Sequence, residues 1–227
     1  MFRPLAVRSD LINGMKYIAY LAVALGFSSA LAGSYEDFFR AVHGNDAAAV
    51  EALVARGFDP NVPDPRGQPA LMRALDAGAS DVALTLARLP GTDVNVQNPD
   101  GETPLMKAAM KGNIALCRAL IERGADVNRP GWTPLHYAAA GDSLPALRLL
   151  LAEGAAVDAR APNGRTPLMM AALYADERLV ETLLAAGAGL GARERDGATA
   201  ADLAGAGGRE WLARKLAERA DGTTTGR

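Results

Sequence analysis

Few side chains in this 227-residue sequence are of the types that perform chemistry, and they lie far apart. The chain has two histidines, His43 and His136, and one cysteine, Cys117. A catalytic histidine needs a nucleophile and an orienting group within reach, and a zinc site needs several converging ligands. Neither histidine has a second histidine or a cysteine near it in the sequence. We therefore expect no catalytic residue and no metal site.

Two further sequence patterns, a glycine-rich segment and a pair of acidic residues, could indicate a cofactor site or acid–base catalysis, but their surroundings do not favour either. The segment GAGLGA, Gly187–Ala192, matches the glycine spacing of dinucleotide-binding loops, but that motif must follow a strand and open a helix. Here it follows the helical segment ERLVETLLAA and precedes the charged turn RERDG, so we interpret the match as accidental and expect no cofactor. Asp100 and Glu102 flank a glycine, which favours solvated turn residues over an acid–base pair.

Aromatic residues are concentrated in the segment RPGWTPLHYAAAGD. It contains Trp132, His136 and Tyr137, although aromatic residues make up only 5% of the chain. The concentration is either a binding cluster or one unit of a repeating scaffold, so the surrounding elements have to be considered first.

Composition narrows the classes of partner and fold. The net charge is −2 and 22% of residues are charged, so the chain has no basic excess to neutralise a phosphate backbone, and we expect no nucleic-acid partner. Alanine, leucine and glycine are abundant and aromatic residues are few. This composition favours helices joined by tight glycine turns.

The first 32 residues are typical of a secretory signal peptide. Lys16 precedes an apolar run from Tyr17 to Phe27, and small residues end in Ala30-Leu31-Ala32, which predicts cleavage between Ala32 and Gly33. Translation starting at Met15 would give a short bacterial type of signal. The alternative is a retained anchor, but the apolar core is shorter than the roughly twenty residues that a spanning helix needs. We expect a periplasmic or secreted protein without stable membrane insertion after cleavage.

The rest of the chain repeats. GETPLMKAAMKGN begins at Gly101, GWTPLHYAAAGDS at Gly131 and GRTPLMMAALYAD at Gly164, with weaker copies at Gly67 and Gly197. The glycines are spaced by 34, 30, 33 and 33 residues. Later in each copy a second marker recurs, seen as GADVN from Gly124 and GAAVD from Gly154.

These residues resemble the ankyrin repeat, whose signature is T-P-L-H-x-A at a period of about 33, and TPLHYAA at Thr133–Ala139 matches it fully. The resemblance covers about residues 35–220. It implies an all-α solenoid of about six helix–turn–helix units with short β-turn fingers, in a domain spanning 33–220 and followed by a disordered tail, 221–227. The units are expected at about 35–66, 67–100, 101–130, 131–163, 164–196 and 197–220.

The repeated residues have local physical roles. Thr103, Thr133 and Thr166 are predicted N-caps, and each is followed by a proline at the first helical position, where a missing N–H costs nothing. The alanine pairs that follow allow close helix contacts. Glycines at the second marker, such as Gly124, are predicted to end the second helices in the left-handed conformation. In this register Cys117 falls on an apolar position and His136 on the signature histidine, so we interpret both as scaffold residues.

The resemblance implies a protein-binding scaffold, in which partners meet the finger tips and the first helix of each unit. Its variable surface positions correspond here to Pro99, Asp100, Glu102, Met110, Lys111, Arg129, Pro130, Trp132, Ala140, Asn163, Arg165, Leu173 and Tyr174. From these and their neighbours we select eight candidate protein-binding residues: Asp100, Glu102, Lys111, Arg129, Trp132, Tyr137, Arg165 and Tyr174. The finger between Asn128 and Gly131 is three residues short, which predicts a notch beside Trp132.

Two alternatives to a monomeric protein-binding module remain open. One is a periplasmic enzyme with an unrecognised site on the concave face. It would require converging histidine, cysteine or acidic side chains, and the sequence does not indicate any. The other is a chaperone-like structural protein without a discrete binding surface.

Overall fold

Six pairs of antiparallel helices stack along one axis. The computed structural model describes residues 29–224, and within that range each unit contributes two helices, of which the first is the shorter in units two to six. The helices are α1 Ser29–His43, α2 Ala47–Ala55, α3 Ala70–Ala77, α4 Ser80–Arg88, α5 Pro104–Met110, α6 Ile114–Glu122, α7 Pro134–Ala140, α8 Leu144–Ala152, α9 Pro167–Tyr174, α10 Glu177–Ala185, α11 Ala200–Ala206 and α12 Glu210–Thr224. The all-α repeat solenoid predicted from the sequence is confirmed.

Both ends of the domain differ from the boundaries expected from the sequence. Helix α1 begins at Ser29, so the Ala32–Gly33 bond lies inside it. The rest of the expected signal peptide, including Met15, lies outside the described residues. Helix α12 runs to Thr224, so residues 221–224 of the expected tail continue the last helix, and 225–227 are not described. No helix in the described part of the chain has the length and apolar character needed to span a membrane.

The first helices begin as the threonines predict. The Thr103 hydroxyl accepts from the backbone N–H of Met106, and Thr166 does the same for Met169, each at 3.4 Å. A second hydrogen bond runs in the opposite direction: the sulfurs of Met106 and Met169 accept from the backbone N–H groups of Thr103 and Thr166, also at 3.4 Å. This reciprocal arrangement satisfies two of the free donors at a helix start.

His136 occupies the same capping position in unit four. Its Nδ1 lies 3.2 Å from the backbone nitrogen of Thr133 and accepts from it, while Nε2 lies 3.0 Å from the carbonyl oxygen of Arg165 in the next unit. Nδ1 as acceptor and Nε2–H as donor assign the neutral imidazole. Burial also lowers the pKa of His136, and both ring nitrogens are occupied. It is therefore a structural residue.

Cys117 and His43 likewise serve the scaffold. Cys117 is fully buried among apolar side chains, and burial raises its pKa to about 12, so the nucleophilic thiolate is not formed near neutral pH. His43 lies at the end of α1, where Nδ1 contacts the Phe39 carbonyl and Nε2 contacts the Arg73 guanidinium.

The stack curves because the two rows of helices have side chains of different size. The alanines of the first helices, including Ala108, Ala109, Ala138, Ala139, Ala171 and Ala172, are fully buried. The second helices bury leucines such as Leu116 and Leu150. From unit three to unit six the first helices of successive units contact one another more extensively than the second helices do, whereas between units two and three the second helices have the larger contact. In units three to six the row of first helices is therefore the more closely packed one, and it corresponds to the concave side that the ankyrin resemblance implies.

Fingers join the second helix of one unit to the first helix of the next, and we number each finger by the unit that it enters. Four have a hairpin tip closed by a backbone hydrogen bond: Asp64 N–H to Gln68 O in finger 2, Asn98 N–H to Glu102 O in finger 3, Ala161 N–H to Arg165 O in finger 5 and Glu194 N–H to Ala198 O in finger 6. Among the described residues, finger 4 has no corresponding bond between 128 and 132. Finger 4 thus lacks the closed hairpin tip of its neighbours, and the notch beside Trp132 stays a prediction.

Asparagines at the finger bases connect successive units. The Asn95 amide oxygen accepts from the Asp126 N–H at 2.9 Å, and its nitrogen donates to the Gly124 carbonyl at 3.0 Å. Asn61 and Asn128 make the same two contacts to their following units. In the fourth position Asp158 only accepts, from the Gly189 N–H at 2.9 Å. We call these four side chains the asparagine ladder.

The ladder yields a reciprocal prediction. Asn128→Asp removes the donor to the Gly154 carbonyl and should lower the unfolding free energy by about 1 kcal/mol. Asp158→Asn supplies the missing donor near the Gly187 carbonyl and should raise it by about 0.5–1 kcal/mol. Urea unfolding followed by circular dichroism measures both. Shifts of the same sign in the two variants would show that the second amide contact does not contribute.

Gly141 yields a second prediction. A Cβ built at this position would lie 2.1 Å from the Met110 carbonyl oxygen, although its φ of −85° is ordinary. Gly141→Ala should therefore force α5 and α7 apart and cost about 1–3 kcal/mol. Gly191→Ala is the matched control, because nothing lies within 4 Å of a Cβ there. Equal urea midpoints for the two variants would contradict the close packing.

Candidate protein-binding surface

The concave face changes character along the stack. One residue in each first helix, one turn after its capping position, points along this face. In unit order these residues are Arg40, Arg73, Lys107, Tyr137, Met170 and Leu203. The first three are charged, whereas the last three are aromatic or apolar. Met170 and Leu203 are buried, so of this row a partner would meet the charged side chains of units one to three and Tyr137 of unit four.

A row of charged and polar side chains crosses units two to four. The Lys107 ammonium contacts Asp76 of the preceding unit at 2.8 Å and Glu102 at 3.1 Å. The other carboxylate oxygen of Glu102 accepts from the Tyr137 hydroxyl at 3.1 Å, and Asn98 donates to Glu102 at 2.7 Å. Two of the candidates, Glu102 and Tyr137, are thus brought together by one hydrogen bond.

Electrostatics keep this row ionised. Burial alone would raise the pKa of Glu102, but hydrogen bonds from Asn98 and Lys107 outweigh it and hold the pKa below its usual value. Burial would lower the pKa of Lys107, but its contacts with Asp76 and Glu102 raise it. For Tyr137, burial and the neighbouring Glu102 charge raise the pKa to about 12. The groups are held in fixed protonation states near neutral pH, which suits recognition rather than proton transfer.

A second polar group lies in units five and six. The Arg165 guanidinium contacts Glu194 of finger 6 at 2.6 Å, and the Glu194 side chain is only 8% exposed. The hydrogen bond to Glu194, together with the neighbouring Tyr174, raises the pKa of Arg165. Arg165 and Tyr174, both candidates, are therefore neighbours, and the charge of Arg165 is already paired.

Two large exposed apolar side chains lie on either side of a pair of small residues at the ends of the first helices. Tyr174 is 58% exposed and Met110 is 49% exposed. Ala140, the last residue of α7, and Gly141, which caps that helix, lie in the unit between them. Because these two residues are small, Met110 and Tyr174 stand above their surroundings on either side. This is the most exposed large apolar surface of the first helices in the described chain.

Trp132 and Arg129 belong to the shortened finger 4. Trp132 is half-buried, packs on the core, and lies with its ring edge-on to His136 at a centroid distance of 5.3 Å. Arg129 is also half-buried, and its guanidinium donates to the Gly101 carbonyl of finger 3 at 3.2 Å. Trp132 is thus partly a scaffold residue, whereas Arg129 connects finger 4 to finger 3.

The last two candidates lie apart from these groups. The Lys111 ammonium reaches the Leu75 carbonyl of the preceding unit and borders a depression lined by Ala74, Leu75, Gly78, Ser80, Ala83 and Asn113. Asp100 is exposed at the tip of finger 3, where its backbone N–H donates to the Asn98 side chain at 3.1 Å. Neither contacts another candidate through a side-chain hydrogen bond or ion pair in the described residues.

Sequence reasoning missed several residues that organise the surface. Asp76, Asn98, Lys107 and Glu194 were not selected, although they hold Glu102 and Arg165 in place. Met110 was recognised as a variable surface position but not as a candidate. Aligning the units would have revealed the opposite charges of Asp76 and Lys107 in adjacent first helices. Among the described residues, no group of three histidine, cysteine or acidic side chains is placed to hold a metal ion.

Comparison with known proteins agrees with this geometry. Models of ankyrin repeats match residues 79–161 and 150–204. A mouse 2-5A-dependent ribonuclease is 39% identical over 71 residues, which is 30% of this chain and 10% of that protein. Human neurogenic locus notch homolog protein 4 is 50% identical over 62 residues, 26% of this chain and 3% of that protein.

A frog protein gives a longer match. Neurogenic locus notch homolog protein 1 of Xenopus tropicalis is 35% identical over 128 residues, 55% of this chain and 5% of that protein. The matched part thus spans at most about a tenth of these three relatives, so the similarity concerns the repeats alone. The chain belongs to the ankyrin-repeat family, whose stacked repeats form scaffolds for protein–protein interaction.

Proposed function

We propose that this chain is an exported scaffold that binds another protein through its concave face and finger tips. The observation that carries the proposal is the exposure of Met110 and Tyr174 on the first helices, on either side of the small residues Ala140 and Gly141. Large exposed apolar side chains beside fixed polar groups are typical of residues that dominate binding energy.

The polar groups around this apolar surface are already ordered. Glu102 holds the Tyr137 hydroxyl, and Glu194 holds the Arg165 guanidinium. Side chains that are fixed before binding lose less conformational entropy when a partner docks. A partner that buries Met110 and Tyr174 would therefore meet a surface whose shape changes little.

Site-specific photocrosslinking tests the binding surface. A benzoylphenylalanine replacing Tyr174 should form adducts with a partner, because that side chain projects from the concave face. The matched control replaces Trp211, which is 48% exposed on α12 at the end of the stack, and should form none. Met110→Ala should reduce the yield of adducts at position 174 severalfold. Equal yields from positions 174 and 211 would refute the concave-face assignment.

Export rests on the residue pattern of the first 32 positions, with Lys16, the apolar run that follows it and Ala32 before Gly33. When the full-length chain is produced in a bacterium with a periplasm, it should be recovered from the periplasmic fraction. Intact mass spectrometry should place its first residue at Gly33. A chain that stays in the cytosol with residues 15–32 retained would rule out export without affecting the binding surface.

A further inference from the structure

We propose that the adjoining tips of fingers 5 and 6 bind a short acidic segment of the partner protein. Three exposed arginines, Arg160, Arg193 and Arg195, would supply the guanidinium groups. The inference rests on the proposed protein-binding function and specifies the chemistry of the partner.

The two tips are fixed to each other by backbone and arginine contacts. The Arg195 N–H donates to the Asn163 carbonyl at 2.8 Å, and its guanidinium donates to the Pro162 carbonyl at 3.0 Å. The Arg160 guanidinium crosses in the opposite direction, to the Arg193 carbonyl at 3.0 Å. The two fingers therefore present their arginines on one continuous surface.

The charge of these arginines is not neutralised by their contacts. Arg160 and Arg195 donate to carbonyl groups of the other finger, and Arg193 donates to the Gly197 carbonyl at 2.7 Å. A guanidinium has five N–H donors, so each arginine retains donors that suit a bidentate carboxylate contact.

The acidic residues of the two tips do not cancel this charge. Segments 159–165 and 192–198 together contain four arginines and two acidic residues. One of the acidic residues, Glu194, is almost buried in its contact with Arg165. Only Asp196 is an exposed carboxylate within these segments. These two segments therefore carry a net positive charge, although Asp202 outside them attracts Arg193 and the chain as a whole is negative.

The other fingers limit how far an anionic partner can extend. The tip of finger 3 carries Asp100 and Glu102 without a basic residue between 97 and 102. A long polyanion following the row of fingers would run from the arginines onto these carboxylates, which would repel it. A short acidic peptide fits on fingers 5 and 6 alone. Beyond it, Arg165 leads to the exposed ring of Tyr174.

Fluorescence anisotropy of a labelled peptide tests the inference. The probe is a twelve-residue peptide of alternating glutamate and serine, and its neutral counterpart has glutamine in place of glutamate. The full chain should bind the acidic probe at low salt and not the neutral one. Replacing Arg160, Arg193 and Arg195 together by glutamine should raise the Kd about tenfold or more.

A matched variant separates local recognition from total charge. Arg88, Arg118 and Arg148 are exposed on the second helices, and replacing them by glutamine removes the same three charges from the opposite side. This variant should change the Kd less than about twofold. Lysine in place of Arg160, Arg193 and Arg195 keeps the positive charge but lacks the planar guanidinium that binds a carboxylate with two hydrogen bonds. Its Kd should lie between those of the unchanged chain and the glutamine variant.

Three results would overturn the inference: no binding of the acidic probe, equal weakening by the two glutamine triples, or tighter binding of a twenty-nucleotide single strand at the same arginines. Photocrosslinking from position 174 tests the proposed protein-binding function independently of the acidic probe. Adducts at 174 without binding of the acidic probe would reject the acidic partner and retain the scaffold. If the glutamine variant of Arg160, Arg193 and Arg195 has a changed urea midpoint, the Kd of the lysine variant for the acidic probe takes its place as the test.

Discussion

Each finger base carries backbone groups that its own unit does not satisfy, and the rest of the structure depends on how they are paired. The second helices end in left-handed glycines such as Gly124, which leaves a carbonyl and a nearby N–H pointing away from the helix. An asparagine of the preceding unit pairs with both groups, as Asn95 does. These groups are exposed, so each bond contributes only about 0.5–1.5 kcal/mol, but the pair of bonds favours one distance and rotation between successive units. The alanine-lined first helices then fall on one side and form the concave face.

The repeat architecture was predictable because its determinants are local. The threonine caps, the prolines after them and the closing glycines act over one helical turn, and all are visible in the sequence. The organisation of the surface was not predictable in the same way. Lys107 is placed between Asp76 and Glu102 only because stacking aligns adjacent units. The partial burial of Trp132 likewise depends on how finger 4 packs, since an isolated unit would expose it.

Unit four is the irregular member of the stack, and contacts from His136 and Arg129 connect it to the neighbouring fingers although its own finger tip is missing. Finger 4 lacks the hairpin bond that closes its neighbours, but His136 donates to the Arg165 carbonyl of finger 5 and Arg129 donates to the Gly101 carbonyl of finger 3. At the other end of α7, Gly141 permits contact with the Met110 carbonyl. Most of the aromatic segment noted in the sequence is therefore the repeat signature itself, and His136 in it also connects unit four to finger 5.

Two regions of the surface remain available for binding a partner: one is apolar and the other is positively charged. Glu102 and Arg165 are already paired within the protein, so docking a partner against them would exchange one ion pair for another with little net gain. Met110 and Tyr174 still expose apolar area, which contributes binding free energy when water is removed. Arg160, Arg193 and Arg195 of fingers 5 and 6 donate to carbonyl groups and form no ion pair within these two tips. Apolar burial on the concave face would thus supply affinity, and the finger tips would orient the partner by charge.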